Sequence, residues 1–214
     1  MPDQSPTNEG QPLLRWLPIE DSLLQEIYNA DQAIYPAPLL TYERMRSWST
    51  SCPDLSICLR RHDPGQVPAM EGLIMVLPVV EEYWGRLVTG ELREHHVDPN
   101  RMFPPAAGAG PADGHPGKVK VALHVFHIER YSHSVGGGGR TPRFTLKALE
   151  EVRSRADERF PSWQVTGYFA LTATPQGNRA FKGLGFTSRY VETKDDGDEA
   201  EMLVREGNDA FSSP

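Results

Sequence analysis

From Lys118 to Tyr131 the sequence reads KVKVALHVFHIERY, and after SHSV it passes through four consecutive glycines, Gly136 to Gly139, into TPRFTLKALEEVRSRADERF. The first run is apolar and rich in β-branched residues, which predicts a long strand. In the last run Thr141 is placed to cap a helix and Pro142 to open it, because a proline at the first helical position gives up only an N–H that had no partner. Phe144, Leu146, Leu149 and Val152 supply that helix's apolar face. A further strand, WQVTGYFALTAT, follows. Strand, helix and strand in this order predict a right-handed crossover between parallel neighbours, which excludes an all-α or all-β fold.

The rest of the chain can be read around that unit. LLRWLPI predicts a first strand, and EDSLLQEIYNADQAIY a helix stopped by Pro36 and Pro38. A short second helix starts at Thr41, and LSICLRRHD is a strand ending in the Asp63–Gly65 turn. MEGLIMVLPVV is apolar on both faces, as a central strand must be. PQGNRAFKGLGF predicts a short helix closed at Gly185, and TSRYVET with EMLVRE a final hairpin. The expected fold class is mixed α/β: a central mixed sheet of six to seven strands flanked by about four helices. One domain is expected over residues 13–206. The polar, proline-rich residues 1–12 and residues 207–214 read as tails. Residues 97–117, rich in Pro, Gly and Ala, have no apolar periodicity and are expected to form a mobile insertion.

Composition narrows the function classes. The net charge of −7 argues against a nucleic-acid binder, which needs clustered Lys and Arg to neutralise phosphates. No apolar run approaches the roughly 18 residues of a membrane span, and the N-terminus lacks a signal-peptide pattern. The two cysteines, Cys52 and Cys58, fit no metal spacing and read as free thiols of a reducing compartment. The expectation is a cytoplasmic protein, with the nucleus left open, and a monomer or homodimer. His95 and His96 are adjacent, diverge on a helix or a strand, and predict no metal site.

The order of elements and two local motifs resemble the GNAT (Gcn5-related N-acetyltransferase) superfamily over roughly Leu13 to Glu206. Its pyrophosphate loop, R/Q-x-x-G-x-G/A, is matched by HSVGGG, with His133 at the Arg/Gln position and glycines at Gly136 and Gly138. Its helix N-x-x-A-x-x-x-Y-x-x-x-G-F is matched by TPQGNRAFKGLGF, Thr174 to Phe186, with Thr174 for Asn, Gly177 for Ala and Phe181 for Tyr. The resemblance implies transfer of an acetyl group from acetyl-CoA to an amine, here expected to belong to a small molecule, by direct attack in a ternary complex. Acetyl-CoA and the amine are the implied partners. The cofactor-binding residues it implies are Ile128, His133, Gly136, Gly137, Gly138, Gly139, Arg140, Thr141, Thr174 and Phe181. Glycines let backbone N–H groups approach phosphate oxygens, and the helix start adds partial positive charge.

Direct attack requires a free amine lone pair, and the resemblance implies a base on or near the fourth strand that removes the proton, often through water. The candidates are His124, His127 and Glu129. By register, His124 stands where many members of the superfamily carry a catalytic Glu. Strict alternation puts His127 and Glu129 on the face opposite His124, but a bulge is expected in this strand and would change the phase. Phe181 has no hydroxyl to protonate the departing thiolate; Tyr168 and Tyr190 are the nearby phenols. Tyr28, Tyr35, Tyr42, Trp48 and Trp84 are candidates to line the acceptor pocket. The competing class is a catalytically inactive CoA-binding or scaffold module on the same fold.

Overall fold

A computed structural model describes residues 13–34, 36–105, 118–131, 143–193, 197, 199–207 and 211. Seven strands form one mixed sheet: β1 (Leu13–Pro18), β2 (Ser56–His62), β3 (Ala69–Val80), β4 (Val119–Arg130), β5 (Trp163–Thr172), β6 (Thr187–Thr193) and β7 (Glu199–Glu206). Their order is β1-β2-β3-β4-β5-β7-β6. Only β4 and β5 pair in parallel; every other neighbour is antiparallel. The described helices are α1 (Asp21–Ile34), α2 (Tyr42–Ser51), α3 (Glu81–Val88), α4 (Pro99–Met102), α5 (Phe144–Arg159) and α6 (Pro175–Lys182). That is two more than the four expected, and both extra helices, α3 and α4, lie between β3 and β4.

The core has two layers because the central strands are apolar on both faces. On one face Ile57, Ile74, Val76, Val121 and Leu123 pack under Ala148, Leu149, Val152 and Ala156 of α5. On the other, Leu73, Met75, Leu77 and Val79 meet Leu24 and Ile27 of α1, Met45 and Trp48 of α2, and Leu87 of α3. Alternate residues of β3 therefore enter alternate layers, as its unbroken apolar run requires. Pro78 is tolerated in this central strand because the β2 ladder ends at Met75, so Pro78 pairs only with Leu123 of β4.

Two expectations need correction. Residues 97–105, the described part of the supposed mobile insertion, are packed: Val97 and Met102 are buried, and the Trp48 indole Nε1 donates to the Val97 carbonyl at 2.8 Å. The Pro/Gly/Ala composition hid two apolar anchors, and α4 is capped locally by the Asp98 carboxylate. Helix α5 starts at Phe144, later than the Thr141–Pro142 start, and Arg143 caps it with a positive φ of 55°. Phe144 lies over Gly72 of β3. A Cβ on Gly72 would come within 2.5 Å of the Phe144 ring and 2.6 Å of the Glu129 carbonyl, so the helix start rests where the sheet has no side chain. Residues 106–117, both tails and residues 132–142 lie outside the described residues or mostly so.

Candidate functional site

The site is built where β4 and β5 part. Their parallel ladder runs from Val119 opposite Trp163 to His124 opposite Phe169 and ends there. β4 continues for six residues paired only with β3, so one edge of its backbone, from Val125 onward, has no strand partner among the described residues. Within this stretch Met75 pairs with His127 and Val76 with Val125, leaving Phe126 as an extra residue. This bulge shifts the alternation of side chains by one. His124 and Phe126 point to the α1/α2 layer, and so do His127 and Glu129 beyond the bulge. The opposite-face placement from strict alternation is thereby corrected.

His124 is fully buried and stacked on the Phe169 ring, with centroids 4.4 Å apart. Its Nδ1 lies 3.3 Å from the Phe169 carbonyl and its Nε2 2.5 Å from Glu94 Oε1. A carbonyl oxygen only accepts, so Nδ1 donates in the first contact, and the second ties the ring to the Glu94 carboxyl. Glu94 comes from a 3-10 turn, Glu94–His96, in the segment between α3 and α4.

His127 lies between two carboxylates. Nδ1 is 3.8 Å from Asp31 Oδ1 and Nε2 is 3.6 Å from Glu129 Oε2. These distances are ion pairs, longer than hydrogen bonds, and the buried Nε2 has no hydrogen-bond partner. Burial alone would pull the imidazole's pKa down, but Asp31 and Glu129 outweigh it and carry the group up to about 9. Glu129 is held below the usual carboxylate range by His127, while burial pushes the Asp31 carboxyl up despite its histidine. At neutral pH His127 is an imidazolium and has no lone pair with which to take a proton.

Three cavities meet at these residues. A groove of about 920 Å³ runs between the end of β4, the first turn of α5 and α6, with Arg130, Arg143 and Arg179 on its walls. It continues into a cleft of about 110 Å³ at the parting of β4 and β5, lined by His127, Ile128, Ala170, Thr174 and Phe181. Beyond Asp31 and Glu94, which line both spaces, lies a pocket of about 250 Å³. Its walls include Leu40, Leu87, Leu92, Leu171, Met202 and Tyr190. Its outer part carries Glu192, ion-paired with Arg93. Among the described residues no group of three or more His, Cys, Asp or Glu is placed to hold a metal ion, and no helix is long and apolar enough to cross a membrane.

The structure brings His127, Ile128, Thr174 and Phe181 together around the cleft, with Glu129 on the groove side and His124 sealed behind Glu94. The Thr174 hydroxyl accepts from the Gly177 N–H at 3.1 Å, capping α6. Phe181 is buried edge-on against Phe186. His133, Gly136, Gly137, Gly138, Gly139, Arg140 and Thr141 lie outside the described residues. Of the two phenols, Tyr168 is enclosed in the α5 layer against Phe211, away from the cleft, while Tyr190 lines the pocket. Tyr28, Tyr42 and Trp48 are used elsewhere: Tyr28 and Tyr42 donate to the Leu40 and Asp21 carbonyls, and Trp48 packs on Phe126. Trp84 packs against Phe169 instead of lining the pocket, and Tyr35 is outside the described residues. Sequence reasoning missed Asp31 and Glu94. Asp31 did leave a trace: with Leu24 and Ile27 it falls on the buried stripe of α1 at helical spacing, a carboxylate where an aliphatic belongs.

The sequence matches no protein-family model and is not significantly similar to any curated protein. The fold does match solved structures. Arabidopsis thaliana NAA60 in complex with a bisubstrate analogue superposes with a TM-score of 0.53 at 11% identity, covering 92% of this chain and 100% of the other. The NatC complex bound to Gag peptide and CoA gives 0.55 at 12% identity, covering 91% and 99%. The chain therefore has the GNAT fold.

Proposed function

We propose that the protein is an acetyl-CoA-dependent N-acetyltransferase whose acceptor is a small primary amine on an apolar body. The observation that carries this is a continuous path: an arginine-lined groove, a cleft beside an unpaired strand edge, and a pocket closed at the cleft by carboxylates. The groove supports acetyl-CoA as cosubstrate because Arg130, Arg143 and Arg179 concentrate positive charge there in a chain of net charge −7. The backbone edge of β4 after the bulge offers polar groups to an acyl-pantetheine arm, with Phe181 and Ile128 as its apolar walls. The pocket supports a small acceptor by its volume of about 250 Å³ and its aliphatic lining.

The roles follow from charge. An ammonium ion entering the pocket meets Asp31 and Glu94. Asp31, its carboxyl pushed up by burial, is a base closer to working pH than a surface carboxylate, so it takes the proton that frees the lone pair. The amine then attacks the thioester carbonyl, forming C–N and breaking C–S. Glu94, fixed by His124, orients the amine. His124 is a positioning residue, since no substrate atom reaches its buried ring.

Release of CoA thiol from acetyl-CoA, followed over a panel of small primary amines, tests this reading. Aralkyl and alkyl monoamines are expected to be turned over, and polycarboxylate amines refused. Binding of acetyl-CoA with no turnover of any amine, small or peptidyl, would instead support the inactive CoA-binding module. Turnover of peptide amines alone would overturn the small-molecule acceptor.

A further inference from the structure

We propose that His127 is the acid that protonates the departing CoA sulfur, in place of the hydroxyl that Phe181 lacks, and that Asp31 resupplies its proton. The proposal rests on the acetyl-transfer reading above. It starts from a gap: Phe181 lines both the cleft and the groove, as His127 does, and offers no proton. Tyr168 is enclosed in the opposite layer, and Tyr190 lines the far pocket and not the cleft. The Thr172 hydroxyl donates to the Glu201 carbonyl, and the Thr174 hydroxyl accepts the cap hydrogen bond of α6. Of the side chains lining both spaces, His127 alone is a charged donor.

Its surroundings fit the role. Asp31 faces it from α1, Glu129 from β4 itself, and Met75 of β3 lies opposite, adding no charge. Glu94, from the turn before α4, adds its influence through Asp31. Nε2 is a buried donor with no hydrogen-bond partner, and Asp31 and His127 are close enough for a proton to pass between them after small movements.

The protons balance over one turnover. The ammonium gives a proton to Asp31, and the amine attacks. As C–S breaks, the sulfur leaves with the bonding pair and takes a proton from His127. Asp31 returns its proton to the imidazole. The nitrogen still carries one proton too many after attack and loses it to solvent water as the amide forms, so one proton is released per turnover. Neutral amide and free thiol leave, and both side chains regain their starting states. No outside acid or oxidant is needed.

The decisive experiment compares wild type with His127→Asn, alone and combined with Phe181→Tyr. His127→Asn is expected to lower kcat by ~10²–10⁴-fold with little change in the KM for acetyl-CoA, and to abolish the alkaline limb of the pH–rate profile near 9. Phe181→Tyr in that background is expected to restore part of kcat, which a merely structural loss would not allow. A second readout needs no turnover. Wild type should bind CoA about tenfold more tightly than desulfo-CoA at mildly alkaline pH, the effect of roughly one pKa unit on the thiol, and His127→Asn should lose the preference. An unchanged kcat in His127→Asn, or equal affinity of the wild type for CoA and desulfo-CoA, overturns the proposal while leaving acetyl transfer standing. If CoA binds and no amine reacts, acetyl transfer falls, and the CoA preference alone decides whether His127 addresses the sulfur.

Discussion

A histidine placed between two carboxylates holds its proton longer than one in water, and His127 carries that effect into the stability of the fold. Its folded pKa, about 9, lies above the ordinary 6.5 because Asp31 and Glu129 outweigh burial. The stabilisation is fully present below the ordinary value and is lost as pH rises through the folded one. The gap in unfolding free energy between wild type and His127→Asn should therefore shrink between pH 6.5 and 9, measured by urea denaturation at stepped pH. Taking the difference between the two proteins cancels most of what the distant carboxylates contribute. A gap that stays constant across this window would show that His127 is not held as an imidazolium. His124 differs in kind: its ring is locked at both nitrogens by Phe169 and Glu94, so it fixes a geometry.

At the scale of elements, the site depends on where α5 begins. Phe144 seats the helix start on the bare backbone of Gly72, and Trp16 of β1 packs on the same ring at 6.0 Å between centroids. Gly72→Val would drive a three-carbon isopropyl group into Phe144 and the Glu129 carbonyl. Overpacking of this kind costs roughly 1–3 kcal/mol, so the melting temperature should fall. Because Phe144 also lines the groove, acetyl-CoA affinity should fall more than stability alone accounts for. An unchanged affinity in a folded Gly72→Val protein would place the cosubstrate away from the start of α5. The segment between β3 and β4 has a comparable reach: it is tied to α2 through Trp48 and the Val97 carbonyl, and it delivers Glu94 to His124. The charge lies well before its proline-, glycine- and alanine-rich part, in Gly90–Val97, which holds Glu91, Arg93 and Glu94.

For the whole molecule, the mixed sheet and its one crossover were legible because β3 and β4 are long apolar runs and the strand–helix–strand order supplies the crossover, whereas the order of strands in the sheet was not. In the candidate site, His124, His127 and Glu129 could be grouped from the sequence because they lie on one strand. Asp31 and Glu94 could not, because only the folded chain brings α1 and the α3–α4 segment to β4, and no spacing in the sequence encodes that meeting. A bulge in β4 was expected, but its position at Phe126 depends on β3 pairing, which counting along β4 does not reveal. What emerges is one path through the molecule, with three arginines at one end, three carboxylates at the other and the parted strands between. A crystal structure of the protein with acetyl-CoA tests that path most directly. The thioester should lie in the cleft against the Val125–Ile128 edge of β4, with the sulfur facing His127 and the phosphates near Arg130, Arg143 and Arg179. Acetyl-CoA bound elsewhere, or with its thioester outside the parting of β4 and β5, would contradict it.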